Sequence, residues 1–170
     1  SARLLVTGRT GDEIHDRTVG DLPELLMQGD VLVFNSTRVL PARLLGFREP
    51  SMGKVEGLFL RNEGAGLWRC LLRAGHLKSG ARVRLLGTDE SPSELSLVLV
   101  DRAADDQGAW VVRVEGGSGE FGDLLRVGRT PLPPYILKAR QTAGMRVDDS
   151  ADRARYQTVF ARDAAGGLDA

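Results

Sequence analysis

The sequence predicts an α/β fold in which a mixed α/β framework is interrupted by a small all-β domain of about six strands. The first observation is a set of apolar-rich strand candidates separated by Gly, Pro, Asp and Ser, which begin near residues 42, 54, 67, 82, 94 and 109. This regular spacing is typical of an antiparallel barrel or sandwich. The second is that no helix of ordinary length fits between Pro41 and Val114, whereas helical patterns occur on both sides.

The N-terminal region reads as a hairpin, a short helix and a buried strand. Residues 3–7 form a strand candidate that residues 13–19 can pair with across a glycine turn. Residues 21–27 predict a helix, with Asp21 as its N-cap. The uninterrupted apolar run 31–34 predicts a strand that is buried on both faces.

The C-terminal region predicts one helix and then irregular chain. Apolar residues at helical spacing predict a helix over 120–127, and the prolines of 130–136 predict extended or turned chain. Residues 141–150 predict a polar loop, and 152–160 a short turn that enters a strand. We therefore place an inserted β domain at 47–128, and assign 1–46 and 129–170 to one discontinuous α/β domain.

The charges cancel overall but are separated along the chain. The net charge is zero, yet residues 38–84 carry 10 basic and 3 acidic side chains, and residues 85–125 carry 2 basic and 9 acidic. Such separation can create a basic face for a polyanion, although folding can equally interleave the blocks. No apolar run is long enough to span a bilayer, and the single cysteine, Cys70, fits a reducing compartment, so we expect a cytoplasmic protein.

Several familiar motifs carry little weight here. Residues 117–122 match G-x-G-x-x-G, but a proline-rich segment follows where a dinucleotide fold needs a parallel strand, so we interpret them as a loop. His15 and His76 lack partners at metal-ligand spacing, and the acidic run 148–152 lacks the spacing of a calcium loop. No metal site is expected.

Two polar clusters could carry chemistry. Asn35, Ser36, Thr37 and Arg38 follow the predicted buried strand directly, at a usual position for ligand sites, and Arg38 and Arg43 suit phosphate or carboxylate. A turn that caps the strand explains the same residues equally well. The second cluster joins Pro131–Tyr135 to Tyr156-Gln157-Thr158, and its Pro-Pro-Tyr segment could instead bind a proline-recognising module.

These pieces together resemble the S-adenosylmethionine:tRNA ribosyltransferase-isomerase (QueA) family of queuosine biosynthesis. The matching blocks, in family order, include 3–6, 21–26, 29–44, 53–56, 77–80, 131–136 and 155–161. The resemblance implies an α/β domain interrupted by a six-stranded β-barrel. It also implies transfer and isomerisation of the ribosyl part of S-adenosyl-L-methionine, a co-substrate, onto 7-aminomethyl-7-deazaguanine in tRNA, giving epoxyqueuosine without a metal. Compared with the family pattern, a short N-terminal segment and the C-terminal half are lacking.

The resemblance also suggests where the substrates bind. We expect Asn35, Thr37 and Arg38 to contact the ligand, and Tyr135, Tyr156 and Gln157 to form the facing wall. The candidates for contact with the tRNA anticodon stem-loop are Arg43, Lys54, Lys78, Arg82 and Arg84. No general base is identified, and a monomer without membrane contact is expected. The alternative is a non-catalytic RNA-binding β-barrel module or an inactive fragment.

Overall fold

The computed structural model describes residues 2–104, 108–144 and 149–158. The chain divides into two compact units, residues 1–34 and residues 35–170. Among the described residues, the first unit contains a two-stranded sheet and a short helix, and the second contains a closed barrel and three helices. The predicted combination of helices with an antiparallel six-stranded barrel is confirmed.

The first unit contains the predicted hairpin and helix. Strands β1 (Arg3–Thr7) and β2 (Ile14–Thr18) pair antiparallel, with Arg3 opposite Thr18. A 3₁₀ turn over Val19–Asp21 leads into α1 (Leu22–Leu25), which is shorter than predicted. The Asp21 carboxylate accepts hydrogen bonds from the Thr18 N–H at 2.8 Å and from its hydroxyl at 3.1 Å. These bonds lower the pKa of Asp21 and fix the start of the turn.

The prediction of a buried strand over residues 31–34 is wrong. The segment has no strand pairing, and the exposed fractions of Val31 and Val33 are 85% and 91%. An apolar strand is buried on both faces only when neighbouring strands flank it in a covered sheet. The two strands among the described residues of the first unit pair only with each other, so the segment stays exposed.

The second unit is built around a closed antiparallel barrel in the order β3-β4-β5-β8-β7-β6. The strand starts match the six predicted positions within two residues, because strand-length apolar segments alternate with turn residues. The strands are β3 (Arg43–Glu49), β4 (Gly53–Gly64), β5 (Leu67–Arg73), β6 (Arg82–Leu86), β7 (Pro92–Arg102) and β8 (Ala109–Glu115). Closure leaves no unpaired sheet edge in the barrel.

The barrel core follows from the alternation of side chains along each strand. Val83 and Leu85 of β6 are almost completely buried, whereas Arg82 and Arg84, which alternate with them, are partly exposed. Each fully buried Val or Leu contributes about 1.5–3 kcal/mol relative to an exposed one. Cys70 also lies in the core, and burial raises the pKa of its thiol, so Cys70 is a packing residue and not a nucleophile.

Helix α2 (Phe121–Val127) forms where the sequence predicts a helix, and it packs against the barrel. Leu124 and Val127 join the barrel core. The glycine loop before the helix is held in place, because the Gly119 N–H donates to Asp123 at 2.8 Å and its carbonyl accepts the Trp68 indole N–H at 2.5 Å. The loop follows an antiparallel barrel strand, so it is not a dinucleotide-binding turn.

Two helices replace the irregular chain predicted for the C-terminal region. The interpretation of 130–136 as non-helical is wrong for its second half, because α3 (Pro134–Thr142) begins at a proline, which the first turn tolerates. The interpretation of 152–160 as a turn entering a strand is also wrong as far as it is described. There α4 (Asp149–Arg155) forms, with Asp149 and Asp152 in its first turn and Arg153 and Arg155 in its last. Residues 159 and 160 lie outside the described residues.

The division into an inserted domain at 47–128 and a discontinuous domain of 1–46 and 129–170 stays a prediction. Residues 47–128 contain β4 to β8 and α2, whereas β3 begins before them, at Arg43. Within the described residues, no helix is long and apolar enough to cross a membrane.

Candidate functional site

The strip that follows Phe34 is an extended segment with an ordered turn at its start. The side-chain amide oxygen Oδ1 of Asn35 accepts hydrogen bonds from the Thr37 N–H at 3.0 Å and from the Thr37 hydroxyl at 2.6 Å. This Asx turn fixes Thr37 relative to Asn35. An Asx turn is therefore present, as in the alternative interpretation, but it caps no strand in the described chain, and Asn35, Thr37 and Arg38 are all exposed. A turn that holds polar side chains in fixed, exposed positions is compatible with a ligand site.

The end of the strip is anchored to the segment that follows α2. Arg43 and Arg129 form an isolated antiparallel bridge, with both N–H···O distances between 2.8 and 2.9 Å. Gly128 lies directly against the chain at Pro41, since an added Cβ there would overlap the Pro41 carbonyl oxygen and lie 2.5 Å from the Leu124 carbonyl oxygen. These contacts bring the strip to the start of the proline-rich block.

Gly128 provides a test of this close approach. We expect Gly128→Ala to destabilise the chain by about 2 kcal/mol or more, because the added methyl group must push two backbone segments apart. Gly122 in α2 is a matched control, since a Cβ added there would meet nothing within 4 Å, so Gly122→Ala should be neutral or stabilising by about 0.4–1 kcal/mol. Urea unfolding of both variants measures the difference. Equal stabilities would contradict the described packing at Pro41.

Helix α4 is bound to the same segment by charged side chains. The Asp149 carboxylate accepts the Thr130 N–H at 2.8 Å and the Arg153 Nε–H at 2.5 Å. Arg153 in turn donates to the carbonyl oxygens of Gly128 at 2.6 Å and Leu125 at 3.1 Å. The C-terminal end of α2 is thereby linked to α4. Arg153 and Asp149 were not identified from the sequence, although their spacing of four residues on a helix signals such a pair.

A second ion pair joins α3 to α4. The guanidinium of Arg140 contacts both carboxylate oxygens of Asp152, each at 2.6 Å. Asp152 is only 4% exposed, so water competes little with Arg140 for its carboxylate oxygens. Of the blocks of the family resemblance, 29–44 and 155–161 are joined directly by the hydrogen bond between Val39 and Gln157. Arg43 and Arg153 contact Arg129 and Gly128, which immediately precede the block 131–136.

The residues after α4 line a shallow depression of about 270 Å³ beside the strip. Its walls are Val39, Arg155, Tyr156, Gln157 and Thr158. The Gln157 side-chain amide pairs with the Val39 backbone, accepting its N–H and donating to its carbonyl, both at 3.0 Å. Tyr156 and Gln157 thus lie beside Val39 of the strip, whereas a facing wall opposite Asn35, Thr37 and Arg38 stays a prediction. Tyr135 lies on the first turn of α3 and is 72% exposed.

The five RNA-contact candidates differ in whether a carboxylate neutralises their positive charge. Lys54 and Lys78 are exposed and form no ion pair among the described residues. The three arginines are engaged with carboxylates: Arg43 with Glu56 at 3.5 Å, Arg82 with Glu115 and with Glu49 at 3.1 Å, and Arg84 with Glu49 at 3.2 Å. In the strand register, Phe47 of β3 pairs with Lys54 on one side and with Arg84 on the other. The lysines therefore offer the less compensated charge.

The other sequence features contribute no further site. His15 and His76 are both exposed, and the part of the chain that the structure describes holds no group of three or more His, Cys, Asp or Glu suited to a metal ion. The acidic run 148–152 starts outside the described residues, and its Asp149 and Asp152 are paired with Arg153 and Arg140.

Comparison with known proteins identifies the family. The profile of the queuosine biosynthesis protein family matches residues 1–170. The chain belongs to this family. The queuosine biosynthesis assignment agrees with the resemblance inferred from the motif blocks, and it rests on the match over the full chain.

Individual relatives give the same result. The chain is 40% identical over 167 residues to the S-adenosylmethionine:tRNA ribosyltransferase-isomerase of Methylocella silvestris, covering 95% of this chain and 44% of that relative. Identity to the protein of the same name from Thermus thermophilus is 40% over 163 residues, with 95% and 43% coverage. The chain thus spans somewhat less than half the length of these relatives. A solved structure of S-adenosylmethionine tRNA ribosyltransferase from Thermotoga maritima is 25% identical, with a TM-score of 0.40 over 85% of this chain and 48% of that one.

Proposed function

We propose that the whole protein transfers the ribosyl part of S-adenosylmethionine to 7-aminomethyl-7-deazaguanine in tRNA and isomerises it, giving epoxyqueuosine. The observation that carries the proposal is the 40% identity over nearly the whole chain to relatives named S-adenosylmethionine:tRNA ribosyltransferase-isomerase. The joining of the strip to the 155–158 segment around one depression supports a ligand site at this place.

We propose that S-adenosylmethionine and the modified base bind along the strip. Asn35 and Thr37 are held by their mutual hydrogen bonds, so their remaining polar groups are presented without a large entropic cost. The guanidinium of Arg38 suits a carboxylate, such as that of the methionine part, or a phosphate. Tyr156 and Gln157 form the facing wall, and the exposed ring of Tyr135 can stack on a planar base.

The proposed reaction sets the chemical requirements of this site. A base must remove a proton beside the sulfonium, an acid must assist the departure of adenine, and hydrogen-bond donors must stabilise the oxyanion that develops. The strip supplies donors in the Asn35 amide and the Arg38 guanidinium. The structure assigns no general base, and none is included in the proposal.

We propose that the tRNA partner contacts Lys54 of β4 and Lys78 of the loop between β5 and β6. Their charges are compensated less than those of Arg43, Arg82 and Arg84, so we expect the lysines to dominate contacts with the phosphates of the anticodon stem-loop. The three arginines would have to exchange a carboxylate for a phosphate. We further propose that the enzyme is cytoplasmic and monomeric, and that it uses S-adenosyl-L-methionine as co-substrate without a metal.

Adenine release tests this function. The whole protein is expected to release adenine from S-adenosylmethionine only when tRNA carrying 7-aminomethyl-7-deazaguanine is present. The matched control is the same tRNA with guanine at that position, which should give no release. RNA binding that weakens with salt but gives no adenine under any condition would favour a non-catalytic RNA-binding module.

A further inference from the structure

The Gln157 amide forms two hydrogen bonds with one residue that lies 118 positions earlier in the chain. Its oxygen accepts the Val39 N–H and its nitrogen donates to the Val39 carbonyl, both at 3.0 Å. A primary amide that pairs with the N–H and C=O of one residue reproduces the pairing of a neighbouring β-strand. Val39 is thus held as if it lay in a sheet, although no strand lies beside it in the described chain.

This pairing holds the middle of a segment that is otherwise fixed at its two ends. The Asx turn at Asn35 orders one end, and the bridge between Arg43 and Arg129 orders the other. Val39 lies between them and directly follows Arg38. Arg38 is exposed and Val39 is half-buried, so packing alone does not fix the backbone at this point.

We propose that Gln157 is a positioning residue for the reaction, acting through Val39 to set the direction of Arg38 and Thr37 toward the substrate. This inference rests on the proposed function, and it changes the role of Gln157 within the facing wall. The amide oxygen and nitrogen are already directed to Val39, so contact between Gln157 and the substrate is secondary. Correct placement of reacting groups is sensitive to shifts of about 1 Å, which can lower a rate by about 100-fold.

The test uses two substitutions in the whole protein. Gln157→Met keeps the length of the side chain and removes both hydrogen bonds. Gln157→Glu keeps the acceptor for the Val39 N–H and places a second oxygen against the Val39 carbonyl. Gln28→Met is the matched control, because Gln28 is exposed and its side chain makes no hydrogen bond in the described structure.

Two measurements are read together, namely hydrogen exchange at the Val39 amide and the kinetics of adenine release. For Gln157→Met we expect Val39 exchange at least about 10-fold faster and kcat about 10- to 100-fold lower, with KM for both substrates within about 2-fold of wild type. For Gln157→Glu we expect kcat relative to wild type to rise as pH falls from 7 to 5. Protonation at an ordinary Glu pKa of about 4.3 or above restores a donor for the Val39 carbonyl.

A rise in KM with kcat preserved would overturn the proposal and make Gln157 a substrate contact. Unchanged exchange at Val39 would overturn the pairing itself. Should Gln157→Met fail to fold, the pH dependence of Gln157→Glu decides the question, and a flat profile rejects the role. If the wild-type protein releases no adenine, the proposed function and the positioning role are both rejected. The hydrogen-exchange measurement would still show whether Gln157 pairs with Val39.

Discussion

Replacing Arg38 by alanine is expected to lower tRNA-dependent adenine release by about 100-fold, the usual cost of removing one well-placed charged donor from a reaction site. The side chain is exposed and follows the ordered turn at Asn35, so its loss should leave the fold intact. Arg38→Lys should recover part of the rate, because it keeps the charge but not the planar pair of donors.

The control for this experiment is Arg9→Ala. Arg9 is an exposed arginine in the turn between β1 and β2, so its removal changes the net charge equally without touching the strip. It should keep at least about half the wild-type rate. Full activity of Arg38→Ala, or an equal loss in Arg9→Ala, would remove Arg38 from the proposed site.

The largest expected effect on stability is the difference between placing an aspartate at Val83 and placing one at Val33. Val83 is 0% exposed inside the barrel, so Val83→Asp buries an unpaired carboxylate and should cost about 4 kcal/mol or more. Val33 is 91% exposed, so Val33→Asp should change the free energy of unfolding by less than about 0.5 kcal/mol. Both tryptophans lie in the barrel, so their fluorescence during urea unfolding reports the stability of the barrel, and far-UV circular dichroism reports the unit that contains Val33 as well.

The comparison tests the corrected placement of residues 31–34. A large loss of stability in Val33→Asp would show that this segment is buried as the sequence first predicted. Tolerance of Val83→Asp would contradict the described barrel core. The two variants introduce the same charge into apolar strand-like sequence, so only the environment differs.

The barrel could be predicted because its information is local. Each strand carries its own alternation, as in Val83 and Leu85 of β6, and each ends at turn residues. The segment 31–34 shows the limit of this reasoning. Its apolar run is a strand pattern, but pairing depends on partners that are remote in the chain, and none is present in the described first unit.

The candidate site stays a prediction, although parts of it were visible in the sequence. Exposed polar residues after Phe34 could be recognised, and Tyr156 and Gln157 line a depression with Val39, which follows them. The contacts that join these segments could not be predicted from the sequence. Gln157 contacts Val39, which lies 118 positions earlier, and Gly128 contacts Pro41 only in the folded chain. Helices α3 and α4 were missed because their sequences carry no apolar stripe, and their Arg140–Asp152 and Asp149–Arg153 pairs form only in the folded chain.

The fate of labelled S-adenosylmethionine tests the proposed function most directly. The whole protein is incubated with tRNA carrying 7-aminomethyl-7-deazaguanine and with S-adenosylmethionine labelled either in its ribosyl carbons or in its methyl group. We expect one ribosyl label to enter the tRNA for each adenine released, and no methyl label. Methyl transfer, or adenine release without ribosyl transfer, would contradict the proposal.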